Sequence, residues 1–228
     1  DVVIQPARKE NESLAMTQMI DRYRGQKETI FIADRGYETY NIFAHVQEKE
    51  MYYLIRVKDG GRGSMTGSFL LPDKDEFDHT MQLILTRKQT NGVKSNPKQY
   101  KILPKSSPFD YLDLHHKKFY TLNFRVVRFA LSENSYECII TNLPIEEFPA
   151  EEIKKIYAMR WGIETSFREL KYAIGLSCFH SKKVEYIIQE IYARLILYNY
   201  CEIITIHVVI HQKDTKHIYQ MNYTTAIH

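Results

Sequence analysis

The chain has 228 residues, 44% of them hydrophobic, which suffices for a sizeable core in one large domain or in a domain carrying an insertion. Its net charge of +3 excludes an overwhelming basic field. The three cysteines, Cys138, Cys178 and Cys201, stand in no metal-ligand or redox spacing and read as buried free thiols of a reducing compartment, which excludes a disulfide-held scaffold.

In chain order, residues 2–5 predict a strand and residues 11–24 a helix, with Asn11 as its N-cap and Gly25 closing it. The continuous apolar run over residues 29–33 predicts a fully buried strand that ends at Asp34. A helix over 38–49 and a strand over 52–58 follow, and then Gly60, Gly61 and Gly63 break the pattern. From 65 to 145, alternation of β-branched and aromatic residues predicts strands at 81–87, 120–130 and 136–142. Pro149, followed by Glu151 and Glu152, opens a long helix that Gly175 ends. A second long helix covers about 184–211; its stretch 195–210 is apolar enough to raise the question of a membrane span, but Asn199 and Glu202 within it mark a core helix. His207 and His211 are spaced as a zinc pair would be, yet no Glu follows His207 and the flanks are plain core, so no metal site is assigned there.

The helix opened by Pro149 has two coherent faces. At about 100° per residue, Tyr157, Arg160, Glu164 and Lys171 fall within a sector about 60° wide, and Arg168 joins them. Ile156, Met159, Ile163, Phe167, Leu170 and Ile174 form an apolar stripe that would anchor the helix to a core. A mixed-charge face on an arbitrary helix is ordinary solvated surface with i, i+4 pairs. Asp34 also has a plain reading, as the residue that starts a turn or caps the next helix. A strand-end Asp is nevertheless well placed for chemistry, because ligands collect at the carboxyl ends of strands in open α/β sheets. Residues 60–145 hold twelve Lys or Arg against eight Asp or Glu, a balance that suits either nucleic acid or a solvated loop.

The spacing Y-x2-R-x3-E-x6-K, with Trp161 before the Glu and Phe167 to Lys171 after it, closely resembles the signature of the DDE transposases of bacterial insertion sequences, in insertion-sequence family four. The segment Ile-Ala-Asp34-Arg-Gly-Tyr37 resembles that family's second catalytic carboxylate. The resemblance implies an α/β fold with a ribonuclease-H-like core, incomplete here because its first strands are missing, and a β-rich insertion. Residues 1–60 would be the first part of the core, 61–146 the insertion, and 147–228 the helical second part with the catalytic Glu. It implies metal-dependent phosphodiester hydrolysis and strand transfer at transposon ends. Asp34 and Glu164 would be catalytic and metal-binding, with Tyr157, Arg160, Lys171 and Arg168 on DNA.

Two Mg²⁺ (or Mn²⁺) ions roughly 3.5–4 Å apart would stabilise the attacking and leaving oxygens, held by a few carboxylates and substrate phosphate. The third carboxylate, an Asp on the first strand of the core, is expected upstream of residue 1, so the chain reads as an internal fragment of the catalytic domain that lacks activity alone. In a core of strand order 3-2-1-4-5, residues 2–5 would then be strand three, and the strand ending at Asp34 would show an unpaired edge. Implied partners are double-stranded DNA, at transposon ends and target, and a second copy in a synaptic homodimer. The resemblance also implies no membrane partner and a location in the bacterial cytoplasm, nucleoid-associated. The only Trp of the chain is Trp161, so stacking on a flipped base would fall to Tyr111, Phe119 or Tyr120 in the insertion. A catalytically inactive DNA-binding or assembly module of a decayed transposase, or a ribonuclease-H-like nuclease, are the other readings.

Overall fold

The computed structural model describes residues 1–25, 28–61, 63–112 and 118–205. They divide into two compact units, Asp1–Ala158 and Met159–His228. The first unit is α/β. Helix α1 (Glu12–Arg22) starts where Asn11 Oδ1 accepts the Leu14 N–H at 2.9 Å, as its N-cap chemistry predicts. It ends at extended Tyr23, two residues before Gly25, so the glycine does not close it. Residues 2–5 form no strand; Gln5 instead bonds both backbone groups of Asn11 through its side chain, and no described strand lies beside it. A strand without a neighbour leaves its backbone groups unpaired, which explains why the expectation fails here.

Strand β1 (Ile30–Ala33), helix α2 (Tyr40–Glu48) and strand β2 (Tyr52–Val57) form a parallel crossover, with Ala33 opposite Ile55. Thr39 caps α2 through the Ile42 N–H. β1 is half-buried rather than fully buried, with Ala33 alone below the surface. It lies at one edge of the sheet with a single neighbour among the described strands, and an edge strand has half its flank uncovered. The glycines Gly60, Gly61 and Gly63 all take positive φ, from 53° to 82°, a region closed to most side chains. Strands β3 (Phe77–Thr86), β4 (Tyr100–Ile102), β5 (Phe119–Ser132) and β6 (Ser135–Thr141), with the short helix α3 (Asn91–Lys94), then extend the same sheet. The order is β1-β2-β6-β5-β3-β4, with β2 antiparallel to β6.

Alternation divides the sheet into two buried faces. One carries Tyr53, Ile55, Leu85, Leu122, Phe124 and Ile140 against α1 and α2, where Phe43 stacks on Tyr53 at 4.9 Å between ring centres. The other carries Leu54, Val127, Phe129 and Ile139 against Ile153 and Tyr157 of helix α4 (Ala150–Ala158). Arg125 on that second face is 3% exposed; it forks onto Asp78 and donates to the carbonyls of Leu143 and Phe148. These contacts fix the segment that leads into α4.

The second unit holds helix α5 (Trp161–Arg168), a π turn at Glu169–Ala173, and helix α6 (Val184–Thr205). The single helix expected between Pro149 and Gly175 is thus three elements, α4, α5 and the π turn. Gly162 in the first turn of α5 is a weak helix former, and the π turn closes on an i→i+5 bond from Ile174 N to Glu169 O. Gly175, with φ of 74°, ends the segment as predicted. The apolar stripe is also divided. Ile156 packs on the sheet, while Met159, Ile163 and Phe167 are 71%, 48% and 59% exposed. The described part of the second unit contains no strand, so its helices have no sheet face of their own to cover. α6 departs from the expected core helix as well: Tyr198 and Cys201 are buried, but Ile196, Tyr200 and Ile203 are exposed. Among the described residues no helix is long and apolar enough to cross a membrane. His207, His211 and the expected end of α6 at 211 lie outside the described residues.

Candidate active site

Asp34 follows the last residue of β1, in extended conformation (φ −84°, ψ 174°), and its Oδ1 accepts the Arg35 N–H at 2.7 Å to start a short 3-10 turn. The capping role and the strand-end position therefore coincide in one residue. The parallel register that sets Ala33 opposite Ile55 brings Asp34 beside Arg56 on β2. Arg56 Nε lies 2.7 Å from Asp34 Oδ1, a close ion pair rather than a directed hydrogen bond, and its Nη1 donates to Glu137 Oε1 on β6 at 3.0 Å. Burial works against the Arg56 charge, but the Glu137 bond and the nearby Tyr157, Asp34 and Glu137 outweigh it and hold the guanidinium above its ordinary value. Tyr157 reaches this spot because α4 lays it, 4% exposed, among Leu54, Phe129 and Ile139 on the same sheet face. Its phenolic oxygen is also buried, so the ring is part of the wall of the site.

In the second unit, Arg160 precedes α5 and Glu164 lies in its first turn, where a carboxylate favours the helix dipole. Arg160 Nη1 donates to Glu164 Oε1 at 3.3 Å, and its guanidinium carbon lies 5.0 Å from the Trp161 ring centre. Glu164 is half exposed at the side chain, while Arg160 is 11% exposed. Arg168 and Lys171 are exposed, Arg168 at the end of α5 and Lys171 within the π turn. A π turn adds one residue to the helical period, so Lys171 departs from the direction that a regular α-helix would give it.

Asp34 and Tyr157 thus belong to the first unit, and Arg160, Glu164, Arg168 and Lys171 to the second. The donors Asp34 and Glu164 are carboxylates, the oxygen ligands that hard cations such as Mg²⁺ take. Among the described residues no group of three or more His, Cys, Asp or Glu side chains is close enough to hold a metal ion. The donor type fits the ion; the donor count does not reach a complete site.

Sequence reasoning missed Arg56 and Glu137. The available signal was a lone charge in the otherwise apolar strand 52–57, but its partner on β6 is 81 positions away. The three aromatic candidates for base stacking differ in place. Tyr120 is 6% exposed and donates its hydroxyl to Glu48 at 2.8 Å, and Tyr111 packs on His45, Phe109 and Tyr120. Phe119 is 43% exposed beneath the Lys88 ammonium, 5.4 Å from its ring centre.

The family described as transposase DDE domain matches residues 1–200. The chain is 25% identical over 191 residues to InsL of insertion sequence element IS186A from Escherichia coli strain K12. It is equally similar to the transposase for insertion sequence element IS421 of Escherichia coli. Each comparison covers 78% of this chain and 51% of the relative, so the chain spans about half the length of the curated relatives it matches. Because the match runs over most of the chain and takes in both Asp34 and Glu164, the chain belongs to the transposase DDE domain family.

Proposed function

We propose that this chain is part of the catalytic domain of a DNA transposase that cleaves and joins DNA at the ends of an insertion sequence. The observation that carries the reading is the family match over residues 1–200, which takes in a carboxylate at a strand end and a second in the first turn of a helix beside an arginine. On this reading residues 1–60 and 147–228 belong to a ribonuclease-H-like core, and 61–146 are its insertion. The parallel β1-α2-β2 crossover and the antiparallel strands added after β2 are compatible with that division.

Asp34 and Glu164 would hold the divalent cation, Mg²⁺ or Mn²⁺ and two ions in the complete enzyme. When bound, the ions stabilise negative charge on the attacking and leaving oxygens. In the first step water attacks the phosphorus at the transposon end, the bond to the 3′-oxygen breaks, and a 3′-hydroxyl and a 5′-phosphate result. In the second, that 3′-hydroxyl attacks a phosphodiester of the target; a new P–O bond forms and the target's own 3′-oxygen leaves. Arg160, Lys171 and Arg168 would hold DNA phosphates, contacts that position the duplex without reading its bases; the Tyr157 hydroxyl is buried and could join them only after a rearrangement. The substrate is double-stranded DNA, and two copies would synapse the two ends. Such an enzyme works on the nucleoid in the bacterial cytoplasm.

The test is an end-cleavage assay with the full-length protein and DNA carrying its own element's ends. We expect cleavage to 3′-hydroxyl ends in Mg²⁺ or Mn²⁺ and none in EDTA. Cleavage that persists without divalent ions, or none on any end-bearing DNA in their presence, would contradict the reading.

A further inference from the structure

Arg56 is the one charge in a strand that otherwise reads Tyr-Tyr-Leu-Ile-Val, and a charge placed there is costly unless it is paired. It is paired twice, by carboxylates from the elements on either side: Asp34 beyond the end of β1 and Glu137 on β6. A planar guanidinium can engage two carboxylates at once through separate nitrogens, whereas a lysine ammonium is a single point of charge. The Arg35 N–H and Arg56 Nε both meet Asp34 at Oδ1, so the two together restrict rotation of the carboxylate. The Glu137 side chain is 14% exposed and Tyr157 covers the same face of the sheet, so Arg56, itself 33% exposed, is tethered on its inner side by a well-covered partner. One cation between two carboxylates leaves the cluster with a net charge of about −1, still attractive to a cation.

We propose that Arg56 is the positioning residue of Asp34, anchored in turn by Glu137, and that it holds the carboxylate oriented for a divalent cation while repelling that cation modestly. The inference rests on Asp34 being a metal-holding carboxylate of the transposase reaction. It gives Arg56 a signature that a merely structural ion pair lacks: its loss slows the chemistry without weakening the metal.

The experiment uses the full-length protein, Mn²⁺ binding followed by electron paramagnetic resonance of the free ion, end cleavage at saturating Mn²⁺, DNA binding over a salt series, and thermal midpoints. Arg56→Gln is expected to cut the cleavage rate by about ten- to a hundredfold, the usual effect of removing a group that orients a metal ligand. Its Mn²⁺ affinity should be unchanged or several-fold tighter, and its salt slope for DNA unchanged. Arg56→Lys keeps the charge but loses the fork, so the rate should fall with Mn²⁺ affinity as in the wild type. Glu137→Gln should slow cleavage in the same way. In an Asp34→Asn background, Arg56→Gln should leave Mn²⁺ binding unaltered.

An unchanged rate in Arg56→Gln overturns the proposal. So does a joint fall in rate, Mn²⁺ affinity and thermal midpoint, which marks a structural pair, or a shallower salt slope for DNA, which marks a phosphate contact. If Arg56→Gln does not fold, Arg56→Lys and Glu137→Gln decide by the same split. Wild-type Mn²⁺ binding and cleavage in Asp34→Asn would instead sink the catalytic reading of Asp34 itself. An inactive Asp34→Asn beside a fully active Arg56→Gln sinks only the role given to Arg56.

Discussion

Arg125 is a cation 3% exposed inside the sheet, and it persists there because Asp78 and two backbone carbonyls occupy its donors. Removing one partner of a buried ion pair strands the other, at a cost of about 3–5 kcal/mol. Arg125→Ala should therefore lower the unfolding free energy by that amount in urea, and a loss below about 1 kcal/mol would contradict the arrangement. The thiols offer a second check. Burial raises the Cys138 thiol to about 12, the nearby Asp59 carboxylate adding to the effect, and Cys201 is buried as well, whereas Cys178 is exposed. A maleimide at neutral pH should label Cys178 promptly and the other two only on unfolding; early labelling of Cys138 would be inconsistent with its place in β6. The expectation of three buried thiols thus holds for two of them. Asp34 was legible because a strand end followed by Asp-Arg-Gly is a local pattern. Arg125 with Asp78 and Arg56 with Glu137 were not, because each pair joins strands 47 and 81 positions apart whose register only the folded sheet sets.

Among elements, the strands and the first two helices followed from local periodicity to within a few residues, apart from residues 2–5, which have no strand neighbour, and the short β4 (Tyr100–Ile102), which no expected strand covers. The long helix after Pro149 did not, because a regular 100° period is blind to a break after Ala158 and to a π turn at Glu169–Ala173. Two cations that follow this break, Arg160 and Lys171, carry a prediction of their own. In the full-length protein, Arg160→Ala and Lys171→Ala should each weaken DNA binding about uniformly across sequences and reduce the salt slope by about 1. A change in sequence preference with the slope intact would mean that they read bases. The junction of α1, α2 and the segment before β5 carries another. His45 Nδ1 lies 2.7 Å from Asp21 on α1 and its Nε2 lies 2.8 Å from Asp110, which also accepts from Asn41. The Asn41 amide, and after it His45, hold the Asp110 carboxyl below its usual range, although partial burial pushes the other way. A carboxyl whose folded value lies below its unfolded one contributes stability above the unfolded value, near pH 4, that is lost as pH falls through the folded value. The thermal midpoint should fall with acidification below about pH 4, and less steeply in Asp110→Asn; equal steepness in the two proteins would contradict the assignment.

At the scale of the whole molecule, the sheet is continuous from β1 through the strands of the proposed insertion, so the insertion adds strands beside β2 rather than forming a separate core. Sequence periodicity indicated a β-rich segment there but not its attachment, since antiparallel pairing of β2 with β6 joins residues 54–57 to 138–141. The division of the chain at Ala158 was also invisible to a motif read as one helix, and it assigns the two candidate carboxylates to different compact units. The central claim is that Asp34 and Glu164 perform the chemistry and that DNA binding does not depend on them. The most direct measurement is end cleavage by full-length Asp34→Asn and Glu164→Gln beside their affinity for end DNA. Each substitution should lower cleavage by roughly 10²-fold or more, a loss typical of groups that stabilise transition-state charge, while binding stays within a few-fold of wild type. Cleavage at the wild-type rate in either variant, or loss of cleavage only in step with loss of DNA binding, would contradict it.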